Sequence, residues 1–352
     1  MPLYINFPSW IHPEIIPGVP FLSLFRWYGL MYVFAFGTAF FVFKKQMEEG
    51  ALDTKNYKAN LDDVFSFFTF SILMLLVGAR VFSCLIYDTS GIYWKKPWLI
   101  FWPFDENWNF TGLAGMSYHG GFVGGLLGMI IWCLWHKKPV LKWIDVMGVA
   151  IPLGYTFGRL GNFLNGELFG RVTTMPWGMI FPAGKRFSVS IPWVKEIVEK
   201  IGMPLAEGQT LVNLPRHPSQ LYEAFFEGIL LFLILWFLRK KKPFDGFILG
   251  LYPIGYGVFR FFIEYFREPD AELGYRIATV ENAPTYLNVS WGNISTGQIL
   301  CLLMIAAGIG ILVALSIKQH ILKKRGLVET PTEKTVVVEK TSKTKKSKKH
   351  KK

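Results

Sequence analysis

The sequence predicts an all-α polytopic membrane protein, with seven transmembrane helices and a small mixed subdomain on the external (periplasmic) side. Three observations predict it. Half of the 352 residues are hydrophobic and the mean hydropathy is positive. Several apolar runs reach the about 20 residues that a membrane-crossing helix needs. Clusters of Lys and Arg follow every second run, as expected of loops that stay on one side of a membrane. The formal charge of +13 is not spread along the chain: from Lys318 onward thirteen Lys or Arg face only Glu329, Glu333 and Glu339, so +10 belongs to the tail and +3 to the rest. A basic pI of this origin does not imply nucleic-acid binding. Cys84, Cys133 and Cys301 lie far apart in apolar segments without a CxxC pair, so neither a disulfide framework nor a metal site is indicated.

Residues 1–20 are proline-rich and carry no Lys or Arg, so they lack the charged region of a signal peptide and read as an extended external lead-in. The membrane domain follows over 21–317. Its spans are predicted at 21–43, 64–87, 118–136, 144–163, 221–238, 247–266 and 297–317. Lys44, Lys45, Lys55 and Lys58 follow the first span, and Lys137, Lys138 and Lys142 the third. Arg239 to Lys242 follow the fifth, and Lys318, Lys323, Lys324 and Arg325 close the seventh. All four clusters fall on one side, which puts the N-terminus outside and the C-terminus in the cytoplasm. Among the external loops, 88–116 carries Trp94, Trp98, Trp102 and Trp108, a composition suited to the membrane interface. The 164–218 insertion is long enough for a subdomain with short strands and a brief helix near 197–202. The Lys/Thr/Ser-rich stretch within 318–352 has no apolar periodicity and is expected to be a disordered cytoplasmic tail, attracted to an anionic leaflet.

Polar residues inside these spans mark the candidate site, because ionisable groups at membrane depth are costly unless they face a cavity or a partner. The run GRLGNFLNGELFGR over 158–171 places Arg159, Asn162, Asn165, Glu167 and Arg171 among glycines. Arg159, Asn162 and Asn165 share a helical face, and a buried Arg suits a phosphate because its planar donors bind two oxygens at once. The bland alternative is an internal pair of Arg159 with Glu167. At 116–128, glycines 120, 124 and 128 make a close-packing ridge. His119 stands at its outer end, where an imidazole is suited to accept a proton near neutral pH. At 216–223, RHPSQLYE leads into the fifth span, and Glu223 there needs a partner. At 256–267, Tyr256, Arg260 and Glu264 occupy one face, with Arg267 a turn further out. The pair Arg260–Glu264 neutralises itself in the bland reading, whereas two arginines from separate helices would bracket a phosphodiester. Trp27 reads as an interface anchor, and Tyr28 as an anchor or a hydroxyl within reach of a lipid headgroup.

These four motifs, in this order on seven spans, resemble the phosphatidylglycerol–prolipoprotein diacylglyceryl transferase family. The resemblance covers most of 20–317 and is densest over 154–171, with HGG at 119–121, HPSQLYE at 217–223 and YGxxRFxxExxR at 256–267 in support. Three departures stand out: Arg26 where the family often carries His, the long 164–218 insertion, and the basic tail. The resemblance implies an enzyme of the bacterial cytoplasmic (inner) membrane. It would move the diacylglyceryl group of phosphatidylglycerol to the thiol of a lipobox cysteine in prolipoprotein signal peptides, the first step of lipoprotein maturation. A thioether forms, glycerol 1-phosphate leaves, and no cofactor is required. On this reading His119, Arg159, Arg260 and Tyr28 are catalytic. Arg159, Asn162, Glu167, Gly170, Tyr256 and Glu264 bind the lipid. A transporter or scaffold for anionic lipids would share the arginines and glycines, but no internal repeat of the kind many transporters carry is evident. Intramembrane proteolysis lacks a Ser–His, HExxH or paired-Asp arrangement.

Overall fold

A computed structural model describes residues 3–16, 26–104, 108, 115–269, 274–280 and 283–326. Among the described residues, six helices are long and apolar enough to cross a membrane: α1 (Trp27–Glu48), α2 (Leu61–Tyr87), α4 (Tyr118–Trp135), α5 (Val140–Leu164), α7 (Ser219–Leu238) and α9 (Thr296–Lys324). The short α3 (Ile92–Lys95) precedes α4. The helix at the sixth predicted span, α8 (Phe247–Ile263), is apolar but shorter; its 17 residues cover about 26 Å at 1.5 Å each. The sequence run extended to 266, yet Glu264 to Phe266 form a turn that carries the chain out of the helix.

The first span also differs from expectation. Its helix starts at Trp27 rather than 21 and continues to Glu48, while Arg26 is extended and bridges Glu14. Residues 17–25 and the tail from 327 lie outside the described residues. Two helices depart from α geometry. α2 ends in a π-helical turn over Ser83–Tyr87, and α7 passes through a π-helical stretch over Ala224–Leu230.

The helices pack chiefly in the pairs α2 with α4, α1 with α5, and α8 with α9. Glycine decides the first of these. A Cβ on Gly124 would sit 2.3 Å from the Met74 carbonyl oxygen, and one on Gly120 would sit 2.4 Å from that of Gly78. Backbones this close exclude any side chain. Gly124→Ala is therefore expected to force α2 and α4 apart and to cost roughly 1–3 kcal/mol, read as a lower unfolding temperature in detergent. Unchanged melting would contradict the packing.

An aromatic core of Phe43, Phe67, Phe68, Trp132 and Trp143 fills one end of the bundle. Beyond it the basic loops meet. Lys138 pairs with Asp63 at 3.2 Å, Arg239 and Lys240 with Glu49 at 3.0 and 2.7 Å, and Lys242 with Asp145 at 3.0 Å. The loops after α1, α4 and α7 thus share one face. Asp145 also accepts from the amides of Gly246 and Leu249, both at 2.9 Å, and so anchors the start of α8.

The opposite end carries the small mixed unit. β1 (Ile5–Asn6) from the lead-in pairs in parallel with β2 (Met179–Ile180), and β3 (Arg186–Ser188) antiparallel with β4 (Leu211–Asn213). Between them α6 (Pro192–Ile201) starts on a proline and stops at Gly202 in a left-handed cap. It begins before the 197–202 expected, because Val194, Val198 and Ile201 form a buried stripe at helical spacing. Val172, Phe187, Val212 and Leu214 complete its core. A pair absent from the sequence expectations, β5 (Tyr275–Ile277) with β6 (Ile294–Ser295), joins α8 to α9. At the same end Trp94, Trp98 and Trp102 are exposed beside the short α3.

Candidate active site

The site forms where α5, α7 and α8 approach the end that bears the mixed unit. A spacing of four puts Tyr155 and Arg159 on one face of α5, Glu223 and Glu227 on one face of α7, and Tyr256, Arg260 and Glu264 on one face of α8. The three faces converge on Glu223, whose side chain is fully buried. One of its oxygens lies 2.9 Å from Arg159 Nε and 2.9 Å from Arg260 Nη1, and the other 3.9 Å from Arg267 Nε. Arg260 also contacts Glu227 at 3.5 Å and Glu264 at 3.4 Å, and Arg267 lies 3.9 Å from Glu264.

Burial divides this network into two layers. The carboxylates of Glu223 and Glu227 are enclosed, whereas the side chains of Arg159, Arg260 and Arg267 retain 17, 13 and 17% of their surface. The acids therefore stand behind and the guanidiniums in front. Among the described residues, Nη2 of each of these three arginines makes no hydrogen bond. Three formal positive charges oppose the three of Glu223, Glu227 and Glu264. The layer is close to neutral yet keeps outward donors, an arrangement able to grip a phosphodiester and to stabilise added negative charge on its oxygens.

The 158–171 motif wraps this centre. Arg159 Nη1 donates to Asn162 Oδ1 at 3.3 Å, and Asn162 Nδ2 passes the chain on to Glu167 at 3.0 Å. The direct Arg159–Glu167 pair weighed from sequence is replaced by Arg159–Glu223. Asn165 also donates to Glu167 at 3.3 Å, and Gln220 donates to its backbone carbonyl at 2.6 Å. Gly170 permits the closest approach. Its amide donates to the His217 carbonyl at 2.8 Å, and a Cβ there would lie 2.2 Å from the Phe266 carbonyl oxygen. Next to it, buried Arg171 donates to the backbone oxygens of Arg267 at 2.8 Å and Glu264 at 3.4 Å and to the Tyr275 hydroxyl. It ties the site to the β5–β6 segment.

Tyr256 enters through its ring, edge-on to Tyr155 at 5.9 Å. Tyr28 packs against Gly161 from α1, and its hydroxyl lies 3.1 Å from that of Tyr32, which lies near Arg159 and Glu167. His119 stands apart. It is exposed at the outer end of α4, with Nδ1 2.7 Å from the Tyr87 hydroxyl, and among the described residues no hydrogen bond or ion pair joins it to the arginines. Its neighbour Tyr118 does lie near Tyr252 and Tyr256, so that turn borders the cluster. Sequence reasoning named Glu223 as needing a partner and overlooked Glu227 and Tyr155. Their spacings of four from Glu223 and Arg159 were the available signal.

Outside the membrane-spanning helices, His217 is held neutral. Burial and the nearby Arg171 charge push its pKa down to about 4, from a normal 6.5. Because the folded value is depressed, its contribution to stability is complete above pH 6.5. It is lost as pH falls toward 4, where the unfolded chain binds the proton first. His217→Gln should flatten the fall in unfolding temperature across that window. An unchanged slope would mean another group titrates.

Residues 19–314 match the prolipoprotein diacylglyceryl transferase family. A phosphatidylglycerol–prolipoprotein diacylglyceryl transferase of Treponema pallidum is 54% identical over 321 residues, covering 89% of this chain and 96% of the relative. The enzyme of that name from Treponema denticola is 54% identical over 336 residues, with 92% and 98% covered. That from Borreliella burgdorferi is 44% identical over 317, with 88% and 93% covered. The chain belongs to the prolipoprotein diacylglyceryl transferase family.

Proposed function

We propose that this protein transfers the diacylglyceryl group of phosphatidylglycerol to the thiol of a lipobox cysteine in prolipoprotein signal peptides, forming a thioether and releasing glycerol 1-phosphate. The observation that carries the reading is the pair Arg159 and Arg260, brought from separate helices onto one buried carboxylate while each keeps part of its side chain exposed. The phosphodiester is a monoanion, and its departing phosphate gains a second negative charge as the C–O bond breaks. Outward guanidinium donors in a water-poor site stabilise that charge more than they stabilise the substrate.

Sulfur attacks the glyceryl carbon in line with the leaving phosphate, so both substrates must be held together. The thiol proton, released near a normal pKa of about 8.5, passes to His119, whose Nδ1 contact with Tyr87 leaves Nε2 available. Tyr28 supports the headgroup from α1. Asn162, Glu167, Gly170, Tyr256 and Glu264 shape the pocket and orient the arginines. In this reading α8 is a seventh span of the bacterial cytoplasmic membrane. The basic loops and the C-terminus are cytoplasmic, and the mixed unit and the N-terminus are periplasmic.

The test is a purified-protein assay with phosphatidylglycerol vesicles and a lipobox peptide. A diacylglyceryl mass gain on the peptide, matched by glycerol phosphate release and absent from a Cys→Ser peptide, is expected. Vesicle lipid moved between leaflets without any glycerol phosphate would replace the reading with transport.

A further inference from the structure

Tyr155 occupies a position in the network that transfer of the lipid does not by itself require. Its hydroxyl lies 2.5 Å from Glu227 Oε2, 2.6 Å from Arg159 Nε and 3.5 Å from Glu223 Oε2. A phenol has one hydrogen to give, a guanidinium only donates and a carboxylate only accepts. The direction is therefore forced: Arg159 donates to Tyr155, and Tyr155 donates to Glu227.

Glu227 is 1% exposed, and its other oxygen, Oε1, makes no hydrogen bond. That oxygen is 3.5 Å from Arg260 Nη1. Glu227 is thus anchored through one oxygen, and a small rotation would let it clasp Arg260 with both. A two-pronged Arg–carboxylate pair is the strong competing arrangement. It would occupy the donors that a lipid phosphate needs.

We infer that Tyr155 is a positioning residue: its hydroxyl restrains Glu227 and so keeps Arg159 and Arg260 open to the phosphate of the lipid substrate. The inference rests on the diacylglyceryl-transfer reading. The ring has separate contacts, with the Arg159 guanidinium carbon 4.8 Å from its centroid and Tyr256 edge-on at 5.9 Å. Tyr155→Phe therefore removes the restraint and leaves the packing.

The experiment uses the full chain in mixed micelles, varying phosphatidylglycerol at a fixed concentration of lipobox peptide. Tyr155→Phe is expected to raise KM for the lipid tenfold or more, with a smaller change in kcat and an unchanged unfolding temperature. The double variant Tyr155→Phe/Glu227→Gln should bring KM back toward wild type, because a neutral amide does not compete for Arg260. A merely structural tyrosine predicts the reverse, with losses that add. The inference is overturned if Tyr155→Phe keeps KM within twofold of wild type, or if the second substitution brings no recovery. Wild-type turnover tests the transfer reading separately. Should it be absent, that reading falls, and the same comparison made on phosphatidylglycerol binding still decides the role of Tyr155.

Discussion

Replacing Arg260 by alanine is expected to lower diacylglyceryl transfer about a thousandfold, roughly 4 kcal/mol in the barrier, the upper range for loss of a preorganised donor at a developing oxyanion. Arg260 touches more carboxylates than any other described arginine, Glu223, Glu227 and Glu264, and still keeps 13% of its side chain exposed. Its acids fix the orientation before the lipid arrives, so little reorganisation is needed as the phosphate charge grows. Lysine should recover only a small part of the activity, since a point charge lacks the planar, forked donors that hold these acids and a phosphate together. The measurement is peptide lipidation at saturating lipid, on protein shown by gel filtration to be folded. Transfer by Arg260→Ala within tenfold of wild type would remove Arg260 from the chemistry.

Glu223→Ala should act first on the fold. Glu223 is the only described carboxylate in contact with all of Arg159, Arg260 and Arg267, and its side chain has no exposed surface. Removing it leaves buried positive charges facing one another, a change that costs about 3–5 kcal/mol when one partner of a buried pair is deleted. The unfolding temperature in detergent should fall accordingly, further than for Glu264→Ala, because Glu264 contacts only two of those arginines and lies at the helix end. Glu223→Gln tests the same point with shape preserved: it should fold better than the alanine variant and still lose transfer, because the arginines no longer converge. A Glu223→Ala protein that melts like wild type would show that the three helices meet for another reason.

Much of the site was legible in the chain because membrane burial makes charge conspicuous. Arg159, Asn162, Glu167, Arg260 and Glu264 stood out against apolar neighbours, and the structure gathers all five within one network. What the sequence obscured was pairing. Arg260 and Glu264 on one helix offered a local neutralisation, and Arg159 had Glu167 close by in sequence. Arg159 takes its counter-charge from α7 instead, and Arg260 adds the two α7 acids to its own Glu264, because the helix faces converge there. Glu227 and Tyr155 escaped notice because one acid or one phenol in an apolar helix has no visible partner until another helix supplies it. His119 presents the opposite case: its motif placed it at the outer end of a glycine ridge as a proton acceptor, while the structure gives it Tyr87 as its hydrogen-bond partner.

By itself, the sequence determined that the chain is a multi-pass membrane protein, that its basic loops belong to one face, and which residues are too costly to bury without purpose. Those conclusions follow from transfer energies and loop charge, which are local properties of a segment. Only the tertiary structure decided that three arginines share one buried glutamate, that Tyr155 donates to Glu227, and that a strand pair tied down by Arg171 bridges α8 and α9. Each of these depends on which helix faces meet, and the energy of a buried charge is set by partners far away along the chain.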